Sequence, residues 1–106
     1  MWVEERLYID GERREAAGGA TYDNVNPATG AVVGVAADGA PADMEAAIAA
    51  ARRAFDQTDW STNLELRVRC LGQLEQALTN HVAELTEITI AEVGATRMAC
   101  GSIRQS

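Results

Sequence analysis

A chain of 106 residues holds at most one domain, at ~150 residues per domain. Its apolar fraction is 47%, but 20 of those positions are alanine, so the large side chains available for a core are few and are mostly Leu, Val and Ile. Nine bases against sixteen acids give a net charge of −7, and every base is arginine, which excludes a Schiff-base or phosphate-loop lysine within this chain and argues against nucleic acid or an anionic membrane as partners.

The N-terminus, Met1 to Arg6, is acidic and is followed by no apolar run, so no signal peptide is expected. The longest uncharged run, Asn24 to Ala37, contains Asn, Pro and Gly and is too short to span a bilayer. A soluble, cytoplasmic protein is the expectation. Cys70 and Cys100 then read as free thiols.

Residues 1–37 read as strands and turns. Leu7-Tyr8-Ile9 is a short strand, Asp10-Gly11 a two-residue hairpin turn, and Glu12 to Arg14 the return strand. Ala16 to Ala20 is a loop of small residues. Thr21 to Val25 suits another strand, Asn26-Pro27-Ala28-Thr29-Gly30 a turn, and Ala31 to Ala36 a β-branched strand.

A helix is expected over 41–57. Pro41 suits its first position, Asp43 places a negative charge in its first turn, and Ala40 is a poor N-cap. Met44, Ala47, Ile48, Ala51 and Phe55 recur at helical spacing, while Arg52, Arg53, Asp56 and Asp59 read as its solvated face or its end.

A long helix is expected over 62–93. Thr62 with Glu65 fits a capping box. The stripe Leu64, Val68, Leu71, Leu74, Leu78, Val82, Leu85, Ile88 runs to Val93, where Gly94 stops it. Unbroken, Leu64 to Val93 would span about 45 Å at 1.5 Å per residue. A compact 100-residue domain has a radius of gyration of only about 13 Å. The helix would outrun any globule the chain forms alone, so part of its stripe is expected to meet something else. The start of another helix is expected over 96–106.

Candidate chemistry is thin. His81 lies beside the stripe and reads as a helix residue at the edge of a packed face rather than a general base. Cys70 reads as a small buried hydrophobe. Cys100, in Met98-Ala99-Cys100-Gly101, carries no nucleophile signature around it. Cys70, His81 and Cys100 include no close ligand pair, so a zinc site is not expected. Gly30 and Gly34 bracket a strand rather than a strand-to-helix turn, so the dinucleotide fingerprint is absent. Glu84 and Glu87 read as a solvated helix face. From the residues alone, the chain reads as a soluble α+β piece without a complete active site.

Four segments in order resemble the N-terminal part of the aldehyde dehydrogenase superfamily, over about residues 6–97. They are Leu7-Tyr8-Ile9-Asp10-Gly11-Glu12; Val25-Asn26-Pro27-Ala28-Thr29-Gly30 with Val33-Gly34-Val35; Ala46 to Phe55 followed by Trp60; and Arg67-Val68-Arg69-Cys70-Leu71 with Leu74, Glu84-Leu85 and Glu92-Val93-Gly94. Arg13, where family hairpins often carry Trp, is a departure, as are Gly72 and Ala40. The resemblance implies an α/β fold in which short strands and a hairpin precede two long helices that flank a Rossmann-like cofactor domain, so that this chain is incomplete as a stand-alone domain. It implies a much longer enzyme that oxidises aldehydes to carboxylic acids with NAD or NADP. The family's catalytic cysteine, base glutamate, oxyanion asparagine and cofactor-contacting lysine match no position here. No catalytic residue and no cofactor binding are therefore expected of this segment alone. One family site does find matching positions: a monovalent cation held by backbone carbonyls before the Asn-Pro turn and by a later carboxylate falls on Asn24, Val25 and Glu92. The expected partner is the remainder of a longer dehydrogenase chain, or a homo-oligomer, covering the long-helix stripe. The alternative is a stand-alone helical interaction or oligomerisation module without catalysis.

Overall fold

The structure is a computed structural model, and it describes residues 1–101. Five strands precede four helices: β1 (Trp2–Glu4), β2 (Arg6–Ile9), β3 (Glu12–Glu15), β4 (Thr21–Val25), β5 (Val32–Ala37), α1 (Pro41–Gln57), α2 (Leu64–Asn80), α3 (Val82–Val93) and α4 (Arg97–Gly101). A single 3₁₀ turn, Asp59–Ser61, links α1 to α2.

The strands form two small sheets. β2 and β3 are an antiparallel hairpin with Ile9 opposite Glu12. Asp10 and Gly11 both take positive φ, 57° and 78°, as a primed two-residue turn requires. The second sheet has the order β1-β5-β4, with β1 parallel and β4 antiparallel to β5. β1 was not expected from the sequence. Its approach to β5 is close: a Cβ on Gly34 would lie 2.3 Å from the carbonyl oxygen of Trp2. Only glycine fits opposite that carbonyl.

The helical reading needs two corrections. The single helix expected over 62–93 is two helices broken at His81, which is at once the C-cap of α2 and the N-cap of α3. Thr79, Asn80, His81 and Val82 are all mediocre helix formers in one cluster. The His81 N–H turns back to the carbonyl of Leu78 at 3.2 Å, and α3 begins from the His81 carbonyl, which accepts from the Leu85 N–H at 3.0 Å. The α2 N-cap is Asn63 rather than Thr62. Asn63 Oδ1 accepts from the Leu66 N–H at 2.9 Å, while the Thr62 hydroxyl is directed to the Asp59 carbonyl at 3.3 Å. The helix expected to start within 96–106 is present as α4; residues 102–106 lie outside the described part.

The core is small. Among the described residues its buried apolar side chains are Ile9, Ala16, Ala50 and Cys100. Asp43, the one buried charged residue among those described, holds the pieces together. Its Oδ2 accepts from the Ala40 N–H at 2.8 Å, supplying from the third helical position what alanine at the N-cap cannot. Its carboxylate also accepts from the Ala17 N–H, at 2.9 and 3.1 Å. The loop after β3 is thereby fastened to the start of α1. A further tie joins the hairpin tip to α1, Arg53 Nη2 donating to Asp10 Oδ2 at 2.7 Å, so Arg53 is not simply solvated.

The backbone N–H groups of Ala40 and Ala17 hold the Asp43 carboxyl below its ordinary range, with a smaller contribution from Arg14. A carboxyl whose folded pKa is depressed contributes stability that is complete above its unfolded value, near ~3.9, and is lost as pH falls through the folded value. Asp43→Asn is therefore expected to lower the melting midpoint at neutral pH, and the gap to the parent chain is expected to narrow as pH falls below ~4. Thermal melts followed by circular dichroism across that range check this; a gap independent of pH contradicts it.

Candidate functional site

The residues matched to a cation site do meet in part. Asn24 lies at the irregular end of β4, where the pairing with β5 shifts register between Asn24 and Val25. The turn that follows is tightly built. Asn26 Oδ1 accepts from the Ala28 N–H at 2.8 Å, the Gly30 N–H donates to the Asn26 carbonyl at 2.8 Å, and the Asn26 N–H donates to the Ala31 carbonyl at 2.9 Å. Gly30 takes φ of 73° to close it.

This turn sits against the C-terminal end of α3. Gly94 ends that helix in the left-handed region, φ 66°, with its N–H on the Ile90 carbonyl at 3.0 Å. A Cβ on Gly94 would come within 3.1 Å of Pro27 Cγ and 3.5 Å of the Ala28 backbone nitrogen. Glycine is needed there both for its φ and for the space. The contact brings Glu92, in the last turn of α3, to the end of β4, where Asn24 Nδ2 donates to Glu92 Oε1 at 2.6 Å. Asn24 and Glu92 are thus brought together across 68 positions of sequence. Val25 follows Asn24 at the bulge and is exposed. The Glu92 carboxylate beside the Asn24 amide offers oxygen donors of the hard kind that alkali cations take. Among the described residues, no three His, Cys, Asp or Glu side chains cluster as a metal site.

The other candidates stay apart from this corner. His81 is exposed at the α2–α3 break, its Nδ1 3.6 Å from Glu84 Oε2. Cys70 is half-buried and Cys100 is buried; both are free thiols. Cys100 lines a cleft of about 630 Å³ between α2, α3 and α4, with Leu78, Val82 and Leu85. His81 is not part of that lining. The hydroxyls of Thr86 and Thr89, which also face the cleft, donate to the carbonyls of Val82 and Leu85 at 2.7 and 2.8 Å. Their hydrogens are thus engaged within the helix, and Glu75 is the one carboxylate in the same lining. Glu87, read as solvated, pairs with Arg97 at 2.5 Å and pins α4 to α3. Its bond to Arg97 holds the Glu87 carboxyl below its ordinary range.

Both long helices carry large apolar residues at the surface. Each long helix turns its small or mixed side to the rest of the chain. In α1 that side is Asp43, Ala46, Ala47 and Ala50; in α2 it is Leu66, Arg67 and Cys70. The large apolar residues lie about a quarter-turn away, at 100° per residue. Leu64, Val68, Leu71, Leu74 and Leu78 of α2 are 51–65% exposed, and Met44, Ile48 and Phe55 of α1 are exposed in the same manner. The sequence marked these stripes, but not that the chain would pack on other faces of the same helices.

The profile of the aldehyde dehydrogenase family matches residues 14–104. The chain belongs to the aldehyde dehydrogenase family. It is 37% identical over 91 residues to the putative aldehyde dehydrogenase DhaS of Bacillus subtilis, a match covering 85% of this chain and 18% of that protein. It is 34% identical over 99 residues to the aminoacetaldehyde dehydrogenase of Pseudomonas aeruginosa, covering 92% of this chain and 20% of that one. Among solved structures it is similar to the betaine aldehyde dehydrogenase of Staphylococcus aureus in complex with NAD+, with a TM-score of 0.84 and 33% identity over 92% of this chain and 20% of that one. The chain therefore spans about a fifth of the length of the aldehyde dehydrogenases it matches, and corresponds to their N-terminal part.

Within this segment, the contact between Gly94 and the Asn-Pro turn fixes the spacing of Asn24 and Glu92. Gly94→Ala is expected to cost about 1–2 kcal/mol for the left-handed backbone alone, with more from the Pro27 contact. Urea unfolding of the two chains measures this; a change within about 0.5 kcal/mol would show that the corner relaxes freely.

Proposed function

We propose that this chain is the N-terminal, non-catalytic segment of an NAD(P)-dependent aldehyde dehydrogenase, supporting the cofactor domain of an enzyme that converts aldehydes to carboxylic acids. The observation that carries the reading is the pairing of a 0.84 TM-score, over a fifth of a dehydrogenase, with helices whose large apolar residues face solvent. The remainder of the dehydrogenase chain is the natural cover for those residues, since large apolar patches rarely stay in water. None of the family's reacting groups matches a residue here, so NAD or NADP and the aldehyde are bound elsewhere in the complete enzyme. A reducing, cytoplasmic location fits the two free thiols. No described helix is long and apolar enough to cross a membrane.

A second reading draws on the same exposed stripe: a stand-alone module whose α1 and α2 pair with a second copy. Sedimentation separates the two. A defined dimer supports the module, whereas a chain that stays monomeric, or associates without a defined size, supports the dehydrogenase segment.

We also propose that Asn24, Val25 and Glu92 contribute to a monovalent cation site in the complete enzyme, the Asn24 and Val25 carbonyls and the Glu92 carboxylate being its oxygen donors. The 2.6 Å approach of the Asn24 amide to Glu92 supports the placement of that carboxylate at the end of β4.

Two measurements test these readings. The purified 106-residue chain is expected to give no aldehyde-dependent NADH formation above the rate without protein; measurable turnover would refute the non-catalytic role. Crystals of the complete enzyme soaked in thallium are expected to show an anomalous peak beside Glu92, and a map without one there removes the cation proposal.

A further inference from the structure

Asp10 and Asp38 are the two aspartates of this chain that precede glycine. In an Asp-Gly dipeptide no side chain shields the nitrogen of the second residue, because glycine has none. That nitrogen can attack the aspartate side chain. It bonds to Cγ, and the carboxyl hydroxyl leaves with the amide proton as water, closing a five-membered succinimide. Water then reopens the ring. Opening at the former main-chain carbonyl leaves the chain running through the side chain, as isoaspartate. One water leaves and one enters, so no oxidant, reductant or enzyme is required. By local sequence the two dipeptides are equivalent, and the fold makes them unequal.

Exposure does not separate them, since both aspartates are exposed. What differs is how each carboxylate and its backbone are held. Asp10 sits at the tip of the β2–β3 hairpin, in the left-handed region at φ 57°, beside the paired residues Ile9 and Glu12. Its Oδ2 accepts from Arg53 Nη2 at 2.7 Å. Ring closure there must break an ion pair and loosen a tight turn. Asp38 lies past the end of β5 and before Pro41 at the start of α1. Its own N–H donates to the Ala20 carbonyl at 2.8 Å, but its carboxylate meets no hydrogen-bond or ion-pair partner among the described residues. We propose that Asp38-Gly39 is a site of spontaneous isoaspartate formation in this protein, and that Arg53 guards the same dipeptide at the hairpin tip. The extra main-chain carbon enters a short span with an anchor on either side, the Asp38 N–H on Ala20 and the Ala40 N–H on the Asp43 carboxylate. Modification at Asp38 therefore lengthens the joint between sheet and helix that the Asp43 clamp serves.

For the test, the chain is incubated in heavy-oxygen water at neutral pH, with and without urea, and then digested with trypsin in ordinary water. Cleavage at arginine puts Asp10 on residues 7–13 and Asp38 on residues 15–52. Each passage through a succinimide leaves one heavy oxygen at the aspartate concerned, and fragment masses locate it. In native buffer Asp38 is expected to take up heavy oxygen at least about threefold faster than Asp10, the scale on which an exposed ion pair slows a reaction that must break it. In urea the two rates are expected to converge. Arg53→Met is expected to raise the Asp10 rate toward its urea value and to leave the Asp38 rate unchanged. A variant that speeds both sites together has lost its fold, and the comparison within the parent chain then decides alone. Equal rates at the two sites in native buffer, or faster uptake at Asp10, overturn the inference. So does a ratio that persists in urea, which would place the cause in the flanking sequence, and so does an Arg53→Met chain whose Asp10 rate is unaltered.

Discussion

The carboxylate of Asp43 is the tie on which the rest of the arrangement depends. With a core reduced to Ile9, Ala16, Ala50 and Cys100, apolar burial cannot by itself fix where the strands lie against α1. Asp43 does it by accepting from two backbone N–H groups far apart in sequence, Ala17 in the loop after β3 and Ala40 at the helix start. The loop end is thereby set, and from it the path of β4 and β5. Arg53 and Asp10 repeat the arrangement more loosely at the hairpin tip.

What these ties organise is a slab rather than a globule. The Cα radius of gyration is 17.1 Å against about 13 Å for a compact chain of this size. The shortest dimension is 16 Å, little more than one helix with its side chains. A slab of that thickness has no interior for large side chains, and among the described residues none is fully buried. Each half-exposed leucine or valine of α2 forgoes on the order of 1 kcal/mol that complete burial would contribute. Five such residues approach the whole net stability of a small domain, about 5–15 kcal/mol. The exposure of these residues and the match to a fifth of longer dehydrogenases point the same way, to a segment that leaves much of its apolar surface unburied.

Local chemistry was readable wherever a residue acts on its immediate neighbours. Asp10-Gly11 gave the hairpin, the Asn-Pro turn gave the β4–β5 connection, and Pro41 gave the start of α1, because those signals need no tertiary partner. The α2–α3 break was missed because an apolar stripe continues through it, and periodicity outweighed four mediocre helix formers at 79–82. The Asn63 cap was missed because Thr62 and Asn63 are both competent caps, and the 3₁₀ turn that engages Thr62 decides between them. Asp43 was recognised as a first-turn charge but not as a clamp on the β3 loop; an alanine N-cap three residues ahead of an aspartate was the signal. β1 left almost no trace, since three residues carry no periodicity and its partner is thirty positions away. In the candidate site, Asn24 and Glu92 were paired only through family resemblance. Nothing in spacing joins residues so distant until Gly94 and Pro27 are seen to touch.

The parallel pairing of β1 with β5 has a consequence for how this protein tolerates changes at its start. β5 is the central strand of its sheet only because Trp2, Val3 and Glu4 lie along one side. Shortening the chain by those few residues would demote β5 from centre to rim and leave a two-stranded ribbon. The row of main-chain donors and acceptors from Gly34 to Ala36 would then be open to any extended segment, including the same strand of another molecule. Three residues that look dispensable by their exposure thus act as a shield against edge-to-edge self-association.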